Sequence, residues 1–163
     1  MKNITVRRAG TLDCRGMADL LNEVIKIGGT TAYVTPFSTE MMKDKVKEPR
    51  SVWHVAETVE GEIVGFQWFV RHPDIAEDGV SIATFAKVGA TGLGIGSKLF
   101  EVTRKAAIDL GYRYLHAVIR ADNESGLTYY QSRGFEDIQR IPNQTLDDGM
   151  VVDKIWKRYD LER

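Results

Sequence analysis

The stretch TGLGIGSKLF, residues 91–100, sets glycines at alternate positions 92, 94 and 96 and then runs into helical spacing. Alternation over residues 80–88 predicts a strand before it. Leu99, Val102, Ala106 and Leu110 then recur at three- or four-residue steps, and Gly111 stands where a helix C-terminus favours a left-handed residue. The glycines therefore fall in a strand-to-helix turn. The first N–H groups of a helix have no intrahelical acceptor and its dipole favours negative charge, so a turn bare of side chains admits an anion to backbone donors. A pyrophosphate suits such a mouth, with Ser97 as a further hydroxyl donor; a plain tight turn is the competing reading. A P-loop needs Lys and then Ser or Thr after its last glycine, and Ser97-Lys98 runs in the reverse order. A dinucleotide fingerprint needs Gly or Ala where Ser97 stands and an acid near the position of His116.

Outward from the turn, the hydrophobic period changes several times. Ile4–Arg8 reads as a strand, and Met17, Leu20, Leu21, Val24 and Ile25 as a helix stopped by Gly28-Gly29. A loop with Pro36 and clustered Ser and Thr leads to a short charged helix, TEMMKDKVKE, ending before Pro49. Residues 52–59 and 63–70 flank Glu60-Gly61-Glu62 as a hairpin, and with 80–88 they predict three antiparallel strands in succession. Beyond the glycine helix, 114–119 alternates as a strand and NESGLTYYQSRG reads as a helix opened by Asp122 or Asn123 and closed by Gly134. Residues 135–140 and 151–158 supply two more strands. The expected architecture is α+β with a mixed sheet.

The chain of 163 residues, without repeat or low-complexity linker, is expected to form one domain over residues 1–163. A net charge of −1 with both signs interspersed carries neither the basic footprint of a nucleic-acid binder nor an acidic tail. Cys14 is the only cysteine, which excludes an internal disulfide and makes buried filler the favoured role over nucleophile. The start MKNITVRRAG lacks the apolar core of a signal peptide, and no apolar run approaches the roughly 20 residues of a membrane span. A cytoplasmic protein is expected, with no nucleic-acid or membrane partner. His54, His72 and His116 lack metal-ligand spacing, so no metal site is expected.

At this point the sequence resembles the GNAT superfamily of acetyl-CoA-dependent N-acetyltransferases. The superfamily's Arg/Gln-x-x-Gly-x-Gly/Ala loop matches TGLGIG and departs at Thr91, where the family carries a long side chain. NESGLTYYQSRGF is similar to the family's Asn-x-x-Ala-x-x-x-Tyr-x-x-x-Gly-Phe, with Asn123, Tyr130, Gly134 and Phe135 in register. The resemblance implies a mostly antiparallel central sheet flanked by helices, and acetyl-CoA as co-substrate. It implies that the backbone of Thr84, Phe85 and Ala86 binds the pantetheine arm, that Gly92, Leu93, Gly94, Ile95, Gly96 and Ser97 hold the pyrophosphate, and that Asn123 contacts the cofactor. A plain N-cap is the competing role for Asn123.

The resemblance further implies direct attack of an amine on the thioester, with Tyr130 protonating the departing thiolate; a packed core tyrosine is the alternative. SIATFA and LHAVIR contain no acid, so the glutamate bases of some relatives do not carry over, and water relayed by Ser81, Thr84 or His116 remains. The segment LNEVIKIGGTTAYVTPFS is similar to that of phosphinothricin and methionine-sulfoximine acetyltransferases, with Thr31, Tyr33, Arg71 and His72 as candidates for an acceptor site. The expected partner is a small-molecule primary amine, and a homodimer stays open. An acetyl-CoA-binding module without catalysis and a protein or peptide N-acetyltransferase are the alternatives.

Overall fold

The computed structural model describes residues 3–90 and 93–162. Among these residues, seven strands and four helices follow one another as β1 (Ile4–Arg8), α1 (Cys14–Ile27), α2 (Thr39–Val46), β2 (Val52–Thr58), β3 (Ile63–Val70), β4 (Gly79–Ala86), α3 (Ile95–Asp109), β5 (Tyr114–Arg120), α4 (Glu124–Arg133), β6 (Glu136–Thr145) and β7 (Val151–Asp160). A 3-10 turn, Thr11–Asp13, which the hydrophobic period did not predict, precedes α1. Arg7 holds the Asp13 carboxylate there through two hydrogen bonds of 2.9 and 2.7 Å.

The strands form one sheet in the order β1-β2-β3-β4-β5-β7-β6. Every pairing is antiparallel except β4 with β5, which is parallel. The mixed, mostly antiparallel sheet expected from the sequence is present. The first four strands make a meander in space, and α3 provides the crossover that a parallel β4–β5 pair requires.

Alternation along the strands gives each sheet face its own helices. On one face Met17, Leu20, Leu21 and Val24 of α1 and Met42 of α2 pack on Trp53, Val55, Phe66, Trp68 and Phe85. Trp53 and Trp68, cross-strand neighbours, stack with centroids 4.2 Å apart. On the other face Ile95 and Leu99 of α3 meet Ile4, Ala56 and Val64, while Phe100 and Ala107 join Leu115, Ala117, Tyr130 and Phe135.

Several boundaries differ from the sequence expectation by one to five residues. The strand expected over 80–88 ends at Ala86. The strand expected over 135–140 continues to Thr145 past Pro142, which an edge strand tolerates because its outer N–H positions need no partner. The register shifts at Ile141/Gln144, where Asn143 adopts a φ of 55°.

Candidate active site

The site originates in a fork. β4 and β5 pair only at Gly79–Tyr114, Val80–Leu115 and Ser81–His116. Beyond that point β4 continues to Ala86 beside β3, and β5 continues to Arg120 beside β7. The diverging strands share no further ladder bonds, so β4 turns a free backbone edge toward the gap. A cleft of about 760 Å³ fills it, with Ser81 to Ala86 on one side and Val118 to Arg120 on the other. Thr84, Phe85 and Ala86, the residues that the family resemblance assigns to the pantetheine arm, all line this cleft.

The glycine turn stands at its end. Gly94 caps α3 in the left-handed conformation, with φ 66° and ψ 27°, and among the described residues no atom beyond its chain neighbours lies within 4 Å of where a Cβ would project. The first turn of α3 contains no acid, and the N–H groups of Ile95, Gly96 and Ser97 have no intrahelical acceptor. This open donor set suits a diphosphate. Gly96 has a different reason to be glycine: its Cβ would lie 2.6 Å from Cε1 of Tyr129. The Ile95 side chain is buried in the core and Leu93 packs beside it, so only their backbone can serve a ligand. Ser97 Oγ accepts a 2.9 Å hydrogen bond from Arg133. Thr91 and Gly92 lie outside the described residues.

A polar chain crosses the apolar floor behind the cleft. Tyr130 is 6% exposed and its hydroxyl shares a 2.8 Å hydrogen bond with Thr84 Oγ1. Tyr129 points elsewhere, donating to the Gly96 carbonyl at 2.8 Å. Gln67, the cross-strand neighbour of Thr84, donates from Nε2 to Thr84 Oγ1 at 2.8 Å and to the Tyr129 hydroxyl at 3.1 Å. Burial pushes both phenols up from their ordinary pKa, Tyr130 the more strongly. Both therefore stay protonated at neutral pH.

Asn123 does two jobs. Its Oδ1 accepts the Gly126 N–H at 3.0 Å, capping α4, and its Nδ2 donates to the Thr30 carbonyl at 2.9 Å. The buried Arg120 pairs with both oxygens of Asp122, at 2.9 and 2.7 Å, and donates to the Thr31 carbonyl at 3.0 Å. Asn22 bonds both the N–H and the carbonyl of Phe37, at 2.7 and 2.8 Å. These three side chains fasten the loop between α1 and α2, which places Thr31 and Tyr33 on the cleft wall.

Arg71 and His72 do not join them. The Arg71 guanidinium binds the carbonyls of Ile75, Ala76 and Gly79, and His72 accepts from the Asp74 N–H, because the β3–β4 loop has carbonyls and amides to satisfy. His116 sits at the closed end of the fork, its Nδ1 accepting from Trp156 at 2.9 Å and its Nε2 lodged against Gly79. Burial, with Arg158 second, lowers its pKa, so the ring is neutral, and it does not line the cleft. Ser81 and Thr84 do line it. No Asp, Glu or His lines the cleft among the described residues, and no group of three or more His, Cys, Asp or Glu stands ready for a metal among them. Sequence reasoning missed Gln67, whose signal was a lone amide inside the apolar strand IVGFQWFV, and missed Arg120 and Arg133.

The profile of the acetyltransferase (GNAT) family matches residues 21–135, a stretch that runs from α1 through the fork to the end of α4. The chain belongs to this family. Membership makes it an N-acetyltransferase with acetyl-CoA as co-substrate. It is 26% identical to YwnH of Bacillus subtilis, provisionally named a phosphinothricin acetyltransferase, over 98% of this chain and 96% of that one. It is 32% identical to mycothiol acetyltransferase of Jonesia denitrificans over 53% of this chain, a match that spans only 27% of that relative. Among solved structures, the GNAT phosphinothricin acetyltransferase of Sinorhizobium meliloti in complex with acetyl-CoA superposes with a TM-score of 0.86 at 21% identity, covering 97% of this chain and 88% of that one. As a GNAT acetyltransferase, the chain has a fork and a bare helix mouth that fit a thioester arm ending in a pyrophosphate. No helix among the described residues is long and apolar enough to cross a membrane.

Proposed function

We propose that this single-domain acetyltransferase moves the acetyl group to a primary amine of a small molecule, an amino acid or xenobiotic amine, by direct attack, with Tyr130 as general acid. The observation that carries the proposal is the buried Tyr130 phenol on the wall of the fork, beside the β4 edge. Acetyl-CoA supplies a thioester carbonyl activated toward amines. The backbone of Thr84 to Ala86 binds the pantetheine arm, and the N–H groups from Leu93 to Ser97 hold the pyrophosphate. Arg133, anchored on Ser97, brings a cation to a loop that lacks one at Thr91. A carboxylate-free cleft supplies no strong base, so the amine enters as its free base and yields its proton to water.

Tyr130 then protonates the departing sulfur. Its raised pKa keeps the proton in place until needed, and the burial that raises it also disfavours a bare thiolate beside it, which narrows the gap between donor and acceptor. The loop fastened by Asn22, Arg120 and Asn123 forms the acceptor wall, with Thr31 and Tyr33 facing the amine. The test is thiol release across a panel of small amines. With an accepted amine, Tyr130→Phe should lower kcat by roughly 10²–10⁴-fold while the KM for acetyl-CoA barely moves, because only transition-state proton transfer is lost. A kcat close to that of the native enzyme would reduce Tyr130 to packing.

A further inference from the structure

Gln67 lies in the middle of β3 with no exposed surface. A buried amide must find partners for its donors and its acceptor, and the way it turns governs the hydroxyls it meets. The direction here is set at Gly96. A carbonyl only accepts, so the single Tyr129 proton is committed to Gly96 and the Tyr129 oxygen must accept from Gln67. That requirement holds the amide nitrogen, not the oxygen, toward the hydroxyls. The second N–H of the same nitrogen goes to Thr84 Oγ1. Thr84 thus keeps its own proton, and the acceptor in hydrogen-bonding contact with it is the Tyr130 hydroxyl.

This direction has a cost, since Gln67 Oε1 is left buried without a hydrogen-bond partner among the described residues. Turning the amide over would pair that oxygen with Thr84, but it would also set two acceptors against the one Tyr129 proton. We propose that Gln67 is a positioning residue that orients a chain running from the Gly96 carbonyl through Tyr129, Gln67 and Thr84 to Tyr130. The Tyr130 proton is thereby left unclaimed by any of the described residues and held for the leaving sulfur. In the transfer the amine nitrogen bonds to the acetyl carbon, the carbon–sulfur bond breaks, and the Tyr130 proton passes to sulfur. The phenolate left behind keeps the Thr84 hydrogen bond until water returns a proton, and water also takes the proton released by the amine.

The inference rests on Tyr130 being the acid, and its test separates the two. Gln67→Glu keeps the shape of the side chain but offers only acceptors when ionised, so it draws the Thr84 proton inward and the Tyr130 proton after it. It should lower kcat by about tenfold or more with the KM for acetyl-CoA within about twofold, and adding Tyr130→Phe should cost little further. The ratio of variant to native kcat should rise as pH falls, since a carboxyl group at position 67 donates again once it is protonated. Gln67→Met, which cannot donate but preserves bulk, should also lower kcat, and it carries the test if the Gln67→Glu variant does not fold. If Tyr130→Phe is strongly impaired while folded Gln67→Met turns over at the native rate, or folded Gln67→Glu does so at the alkaline end of its pH profile where the carboxylate is ionised, Gln67 does not aim the proton. If Tyr130→Phe is itself silent, the acid assignment falls and this inference with it.

Discussion

His54 shows at the scale of one residue how burial couples the fold to pH. It lies in β2 with its Nδ1 unpartnered among the described residues, and burial, with Arg8 second, lowers its pKa from 6.5 to about 4. Between those values the unfolded chain binds a proton that the folded chain refuses, so stability rises with pH across the window and falls as pH drops through it. The loss approaches ~3 kcal/mol once pH is below 4, because a tenfold change in proton affinity is worth about 1.4 kcal/mol. Denaturant unfolding between pH 7 and 4 should show this slope, and His54→Gln should make it shallower, leaving the smaller share of His116, whose pKa burial also lowers. A slope that the substitution leaves unchanged would place the acid sensitivity elsewhere. The glycines at the mouth of α3 divide in the same residue-by-residue way: Gly94 answers a backbone angle, whereas Gly96 makes room for Tyr129.

At the scale of the element, α4 and the α1–α2 loop act as one wall because Asn123 belongs to both. Its oxygen caps the helix and its nitrogen holds Thr30. Asn123→Asp preserves the acceptor for Gly126 N–H and removes the donor to Thr30, so it should leave stability nearly unchanged while releasing the loop. We expect the KM for the amine to rise severalfold and that for acetyl-CoA to stay put. Asn123→Ala removes the cap as well and should cost about 1 kcal/mol in stability. A rise confined to the KM for acetyl-CoA in the aspartate variant would instead mark Asn123 as a contact of the co-substrate.

For the whole molecule, the proposed co-substrate site joins elements distant in sequence: the β4 edge, the start of α3 and the face of α4. Binding there should stabilise all of them together. At a concentration about 100 times its Kd, acetyl-CoA should add about 2.7 kcal/mol, a rise of roughly 5–10 °C in Tm for a domain of this size. Pantetheine without the diphosphate should give a smaller shift, since it leaves the mouth of α3 unfilled. Equal shifts for the two ligands would show that the glycine turn binds nothing.

The sequence by itself determined what depends on neighbours along the chain. The period of apolar residues placed the helices and strands, Gly61 and Gly134 marked a turn and a helix end, and the TGLGIG turn together with the Asn123–Phe135 spacing pointed to the family that the profile match shows. The tertiary structure decided what depends on residues far apart. The β4–β5 ladder stops after three residue pairs because the strands splay, and no local pattern records that. The same holds for partners: adjacent tyrosines on α4 look alike in sequence, yet Tyr129 meets Gly96 while Tyr130 meets Thr84. Gln67 reads as an odd polar residue in a strand until the sheet sets it opposite Thr84 and α4 brings the Tyr129 hydroxyl to it. Arg71 and His72 read as binding residues only because their loop is polar, and the fold commits them to that loop's own carbonyls and amides. Side-chain chemistry is written in the chain, but which groups face one another is settled by packing, since a hydrogen bond needs its two partners within about 3 Å and sequence separation does not measure that distance.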